Sequence, residues 1–140
     1  MKITDIDIAE ILPQQFPFRF VDRLLSYGEV DTLTEYRVSA DCLFVEDGTM
    51  LESGLVEHMA QSSAARVGYI NKYIRGLDIR IGFIGSIRNL KIYRRPAVGE
   101  VLVTTVSLVQ EIFGISMVNV IVRSGDLPVA EASLKTVELQ

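Results

Sequence analysis

Glu57, His58 and Gln61 are the residues whose types and spacing could do chemistry, placing a carboxylate, an imidazole and a carboxamide within Glu57-His58-Met59-Ala60-Gln61. A positioned carboxylate can take a proton or attack an electrophilic carbonyl, and an imidazole can supply the complementary acid or base. At about 100° per helical residue, Gln61 falls one turn beyond Glu57 on the same face, whereas His58 is turned about 100° away. Gln61 is therefore placed to orient the Glu57 carboxylate. His58 reads as a core or interface histidine sooner than as a catalyst. Burying an unpaired charge is costly, so Glu57 must be paired, neutralised or functional.

The element that must position these groups is a helix predicted from Thr49 to Gly76. Ser53, Gly54, Ala60, Gln61, Ala64 and Gly68 share the stripe of Glu57, and Leu55, Val56, Met59, Val67 and Ile70 lie opposite. Both stripes read as buried, which makes this a core helix, and the small residues would admit a close backbone neighbour. Thr49 and Glu52 have capping-box spacing. Lys72, Arg75 and then Gly76 supply the stop.

The chain has 140 residues, about half of them apolar, enough for one domain with its own core. A net charge of −4 gives no support to nucleic acid as a partner, which would call for clustered basic residues. The single Cys42 excludes an internal disulfide and a multi-cysteine metal site, in keeping with a reducing compartment. The acidic opening, Met1 to Glu10, is unlike a secretory signal, and no apolar run is long enough for a membrane span. The expectation is a soluble cytoplasmic protein with no membrane partner.

Around the helix, residues 3 to 12 predict a short helix ended by Pro13. Phe18 to Tyr27 and Leu33 to Ala40 predict two strands joined by a turn at Gly28 to Asp31. Four more strands are expected over Ile79 to Tyr93, Val101 to Glu111, Ile115 to Arg123 and Val129 to Glu138. Two strands, a buried helix and four strands imply an α+β domain, an antiparallel sheet wrapped around a long central helix.

Several segments in this order resemble the hotdog-fold 3-hydroxyacyl-[acyl-carrier-protein] dehydratases. Pro17-Phe18 with Phe20-Val21-Asp22-Arg23 resembles the family's opening, and Glu57-His58-Met59-Ala60-Gln61 its Glu-Ala-Met-Ala-Gln on the central helix. Ile84-Gly85-Ser86-Ile87 and Tyr93-Arg94-Arg95-Pro96-Ala97-Val98-Gly99 resemble later segments. The resemblance implies a hotdog fold and a dimer with acyl tunnels at its interface. Each site would join a His from one subunit to the helix Glu of the other, acting on an acyl thioester carried by acyl carrier protein or CoA without a metal or cofactor.

One position departs from the family. Counting back from Glu57, the family's Gly-His-Phe-Pro falls on Cys42-Leu43-Phe44-Val45, so the catalytic His position is Leu43. Dehydration removes a proton from C2 and protonates the departing C3 hydroxyl, and each positioned group contributes roughly 10²- to 10⁴-fold. A homodimer or higher homo-oligomer would contain no complete site. A heterodimer with a complete dehydratase would place the partner's His against Glu57, as in fatty acid or polyene-type synthesis. Two alternatives stay open: a hotdog thioesterase using Glu57 alone, and a non-catalytic acyl-binding subunit. Leu43, Phe44, Glu52, Ile84 and Gly85 are the expected substrate-binding positions, with backbone NH groups near Glu52 facing a thioester oxygen. Arg88, Lys91, Arg94 and Arg95 read as a solvated face or as a dock for the carrier or a CoA phosphate, and Asp22 and Arg23 as a strand-end ion pair. Strand alternation would put Lys91 and Arg95 opposite Leu90 and Ile92.

Overall fold

The computed structural model describes residues 2–139, so Met1 of the acidic opening lies outside the described residues. Six antiparallel strands form one sheet in the order β1-β2-β6-β7-β8-β5. They are β1 (Arg23–Tyr27), β2 (Asp31–Arg37), β5 (Gly82–Ile92), β6 (Val101–Ile112), β7 (Ile115–Ser124) and β8 (Leu127–Glu138). Two short strands, β3 (Val45–Glu46) and β4 (Thr49–Met50), pair as a separate hairpin ahead of the helix α1 (Glu52–Tyr69). The α+β hotdog arrangement is therefore the observed fold.

Alternation decides which side of the sheet receives the helix. Leu102, Thr104 and Val106 on β6, Val118, Val120 and Val122 on β7, and Ala130, Ala132 and Leu134 on β8 are all buried. Leu55 and Met59 of α1 pack into this layer with no exposed surface, and full burial stabilises each by about 1.5–3 kcal/mol.

The local expectations need four corrections. Residues 3 to 12 form two single 3₁₀ turns, Ile3–Asp5 and Ile8–Glu10, rather than one helix, because Ile6, Ile8, Ile11 and Leu12 all turn inward and pin the segment down. The first two strands are shorter at their outer ends than the sequence suggests, and at the first of them Phe18 and Phe20 are held by the helix and not by a ladder. Thr49 forms no capping box with Glu52: it lies in β4, its hydroxyl donates to the Glu46 carbonyl, and Leu51 is the N-cap. At the other end α1 passes into a π-turn, Ile70–Ile74, before Gly76 at φ 67° ends it.

The small stripe does admit a backbone. A Cβ at Gly68 would lie 2.0 Å from the Ile11 carbonyl oxygen, so the N-terminal turns sit directly on α1 there. Gly68→Ala is expected to destabilise the protein by about 3 kcal/mol in urea unfolding, because neither backbone can yield without losing the buried cluster of Ile8, Ile11 and Leu12.

Candidate active site

Glu57 is half-buried on α1, and the next turn holds its carboxylate: Gln61 Nε2 donates to Glu57 Oε1 at 3.1 Å. Gln61 is itself buried and fully engaged. Its Nε2 also donates to the Phe18 carbonyl at 2.8 Å, and its Oε1 accepts from the Phe20 NH at 2.6 Å.

His58 has no exposed surface. Its Nδ1 lies 2.6 Å from the Phe20 carbonyl oxygen, which can only accept, so Nδ1 carries the proton. Nε2, 2.7 Å from Thr104 Oγ1, then accepts from that hydroxyl. Tyr36 stacks on the ring at 5.7 Å. Burial pushes the pKa down to about 4, against the smaller upward pull of the Phe20 carbonyl.

Beside Glu57 is a cavity of about 380 Å³. Glu57, Ala60, Gln61 and Ala64 line one wall, and Ile84, Thr136 and Val137 form part of another. The small stripe therefore faces an open space as well as Ile11. Val67 and Ile70, read from sequence as lying opposite Glu57, also line the cavity. The π-turn, with one extra residue in its hydrogen-bonded ring, alters the angular spacing near Ile70.

The other expected residues separate. Ile84 lines the Glu57 cavity, whereas Gly85 lines a shallow depression with Ser86 and Arg88. Leu43 is 52% exposed outside the Glu57 cavity, and Phe44 packs edge-on against Phe20 with ring centroids 5.5 Å apart. Glu52 is exposed in the first turn of α1. Arg94 makes a two-pronged ion pair with Glu100 at 2.7 and 3.0 Å, which holds the Glu100 carboxyl down at about 2 together with the Ala97 NH and the Ser124 hydroxyl. Arg95 donates to the Met50 and Glu46 carbonyls. The expected alternation holds at Lys91, exposed opposite Ile92, which packs on the core, but does not extend to Leu90 or Arg95, because β5 bulges between Arg88 and Lys91, with Asn89 at φ 55°, and ends at Ile92. Arg23 pairs with Glu35 at 2.9 Å, while Asp22 accepts from the Arg37 NH.

Sequence reasoning missed Asn71, Ser116 and Glu138, all of which line the cavity. A signal existed for Asn71: fourteen residues after Glu57, it returns to the same helical stripe. The two strand residues gave none.

The family model for ApeP-like proteins, described as ApeP dehydratase, matches residues 6–140. The chain belongs to the ApeP-like dehydratase family. No curated protein matches the sequence. Among solved structures, the dehydratase heterocomplex ApeI:P from Xenorhabdus doucetiae is similar with a TM-score of 0.88 at 16% identity, over 96% of this chain and 92% of that one. A hypothetical thioesterase with coenzyme A from Streptococcus pneumoniae is similar at 0.65 and 11%, over 84% of each chain. The PaaI protein of the E. coli phenylacetic acid degradation operon is similar at 0.63 and 13%, over 81% of this chain and 80% of that one. No described helix of the ApeP-like chain is long and apolar enough to cross a membrane.

The His58 environment makes a pH prediction. With a folded pKa near 4 against 6.5 unfolded, the unfolded chain binds the extra proton between those values, so stability is full above pH 6.5 and falls as pH drops toward 4. Urea unfolding at pH 5 should show about 2 kcal/mol less stability than at pH 7.5 from this residue. A folded His58→Gln variant should lose that part of the difference.

Proposed function

We propose that this chain is one half of a 3-hydroxyacyl thioester dehydratase of fatty acid or polyene-type synthesis in the cytoplasm, with Glu57 serving a site that a histidine from a second hotdog subunit completes. The observation that carries this reading is the contrast between two residues. Glu57 is steadied by Gln61 at a cavity of acyl dimensions, while the chain's single histidine is enclosed in the core with both ring nitrogens engaged. His58 therefore has a structural role. Two copies of this chain would bring two carboxylates and no imidazole to their shared sites.

The long edge strand β5 supports the pairing. It is bonded only to β8, and Phe83, Ile87 and Leu90 on it are exposed. An apolar, unpaired edge of this length invites a second sheet. The heterocomplex from Xenorhabdus doucetiae supports a partner that is a different hotdog chain. In such a pair Leu43 of this chain meets the partner's carboxylate and leaves the second site incomplete.

At the competent site, Glu57 and the incoming imidazole divide two proton transfers. One takes the proton from C2, the C3–O bond breaks as the C2=C3 double bond forms, and the other protonates the departing hydroxyl as water. Gln61 holds Glu57 in position and touches no reacting atom.

The test is co-expression with a hotdog dehydratase that has an intact Gly-His-Phe-Pro segment, followed by an assay of water loss from 3-hydroxyacyl thioesters. The pair should be active, and the single chain inactive. Glu57→Gln in this chain should lower the pair's rate by roughly 10²- to 10⁴-fold. Full activity after that change overturns the reading, and thiol release in place of water loss would assign a thioesterase.

We place carrier docking on Arg88 and Lys91, which are exposed beside the β5 bulge, because Arg94 and Arg95 are committed to Glu100 and to the β3–β4 hairpin. Charge reversal at Arg88 and Lys91 should weaken acyl carrier protein or CoA binding at low salt, with the difference fading at high salt. Arg94→Glu should instead reduce stability. Unchanged binding after the double reversal removes the dock.

A further inference from the structure

β5 is a free edge of the sheet, and its own charges, Arg88 and Lys91, are both positive. On the face of the sheet away from α1, Ser86 stands across from Lys135 of β8, and Arg88 across from Ser133. The row of Arg88 runs on through Asn119 and Ser107 and holds no carboxylate short of Asp31 on β2. Arg88 and Lys135 are exposed, and neither is in an ion pair among the described residues. The next acid, Glu131, stands opposite Lys91 and takes the Tyr93 hydroxyl. Gly85, Ser86 and Ser133, all small, leave a shallow depression that Arg88 and Lys135 both border.

Two-fold self-pairing through this edge would concentrate the positive charge. β5 runs from Gly82 to Ile92, so an antiparallel pair using its full length is centred on Ile87 and sets Arg88 of one copy directly across from Ser86 of the other. Residues directly opposite share a face. Each Arg88 therefore enters the row of the other copy's Ser86 and Lys135, and the two Arg88 become diagonal neighbours about 7–8 Å apart. Two Arg88 and two Lys135 then surround the axis with no carboxylate to answer them. Like charges so placed repel, and an edge that carries them disfavours its own copy.

We propose that Arg88 and Lys135 form a partner-selection site on the β5 edge, which rejects a second copy of this chain and takes an edge strand that presents a carboxylate directly across from Ser86. Such a carboxylate meets Lys135 along its row and Arg88 on the diagonal, over the floor left open by Gly85 and Ser86. The proposal rests on the two-subunit reading given above and names the chemistry that tells the second subunit from the first.

The test mixes native and charge-reversed copies of the full chain, with carrier protein and CoA left out because either would draw on Arg88. By sedimentation equilibrium at low salt, the native chain and the double variant Arg88→Glu, Lys135→Glu should each pair weakly with themselves, and their mixture should pair roughly 10- to 100-fold more tightly. The gap should close at 1 M salt, where charges are screened beyond about 3 Å. A mixture no tighter than the native chain alone overturns the site. If the double variant does not fold, the native chain decides: its self-association should strengthen from about 0.01 to 0.15 M salt, as the screening length falls from about 30 to 8 Å, and weakening overturns the site. With a complete hotdog dehydratase as partner, the double variant should bind at least roughly tenfold more weakly than the native chain at low salt. Equal binding overturns the acidic strand and leaves the two-subunit reading standing. Failure of the native chain to join any complete dehydratase overturns both.

Discussion

The structure depends on how two helix residues hold one stretch of main chain. His58 takes the Phe20 carbonyl, and Gln61 takes the Phe20 NH and the Phe18 carbonyl. These are backbone groups ahead of β1 that have no ladder partner, and Phe20 is buried, so water cannot easily serve them. Leaving one such group unsatisfied costs about 1–3 kcal/mol. The same Gln61 then has one remaining NH, and it goes to Glu57. The orientation of the site carboxylate is thus a by-product of closing the N-terminal segment onto the helix. The opening Pro-Phe segment and the Glu-x-x-x-Gln segment belong together for this physical reason.

From that clamp the asymmetry of the chain follows. His58 cannot swing toward the cavity without abandoning the Phe20 carbonyl and the Thr104 hydroxyl together, and its depressed pKa keeps it neutral in the core. Leu43, the position that the sequence resemblance equates with a catalytic imidazole, is half-exposed outside the Glu57 cavity. The cavity also has β5, the edge of the sheet, as one of its walls. On the reading proposed above, a site with one acid–base group and an edge-strand wall is completed by another subunit.

Much of this was legible in the sequence, for identifiable reasons. The period-2 alternation in the second half predicts four strands, and the structure has them within a few residues, because the inner positions of β6, β7 and β8 are nearly all Leu, Val, Ala or Thr. The pairing of Gln61 with Glu57 was legible because i to i+4 contact is local geometry. The failures are all tertiary. Thr49 and Glu52 have capping spacing, but Thr49 is claimed by a two-residue hairpin whose Met50 NH bonds to the distant Pro96 carbonyl. Arg94 and Arg95 read as one basic run, but each meets acceptors that only the fold brings near. The π-turn at Ile70–Ile74 inserts one residue into the helical count with no local sign, and with it Ile70 joins the Glu57 cavity.

The sheet-facing side of α1 explains why that cavity has a definite position at all. Alongside Leu55 and Met59 it presents His58, Ser62, Ser63 and Arg66, and the sheet answers with Thr34 at 2.9 Å from Ser62, Thr104 at 2.7 Å from His58, and Glu111 at 3.5 Å from Arg66. An apolar interface of the same volume would bind the helix at least as strongly, since hydrophobic repacking tolerates small shifts at little cost. Directional bonds at three successive turns do not tolerate them. A slide of α1 by one residue would break all three and leave buried donors and acceptors unfilled. The polar seam therefore fixes the register of helix on sheet, and that register sets Glu57 across from Ile84 and places Asn71 at the far end of the same space.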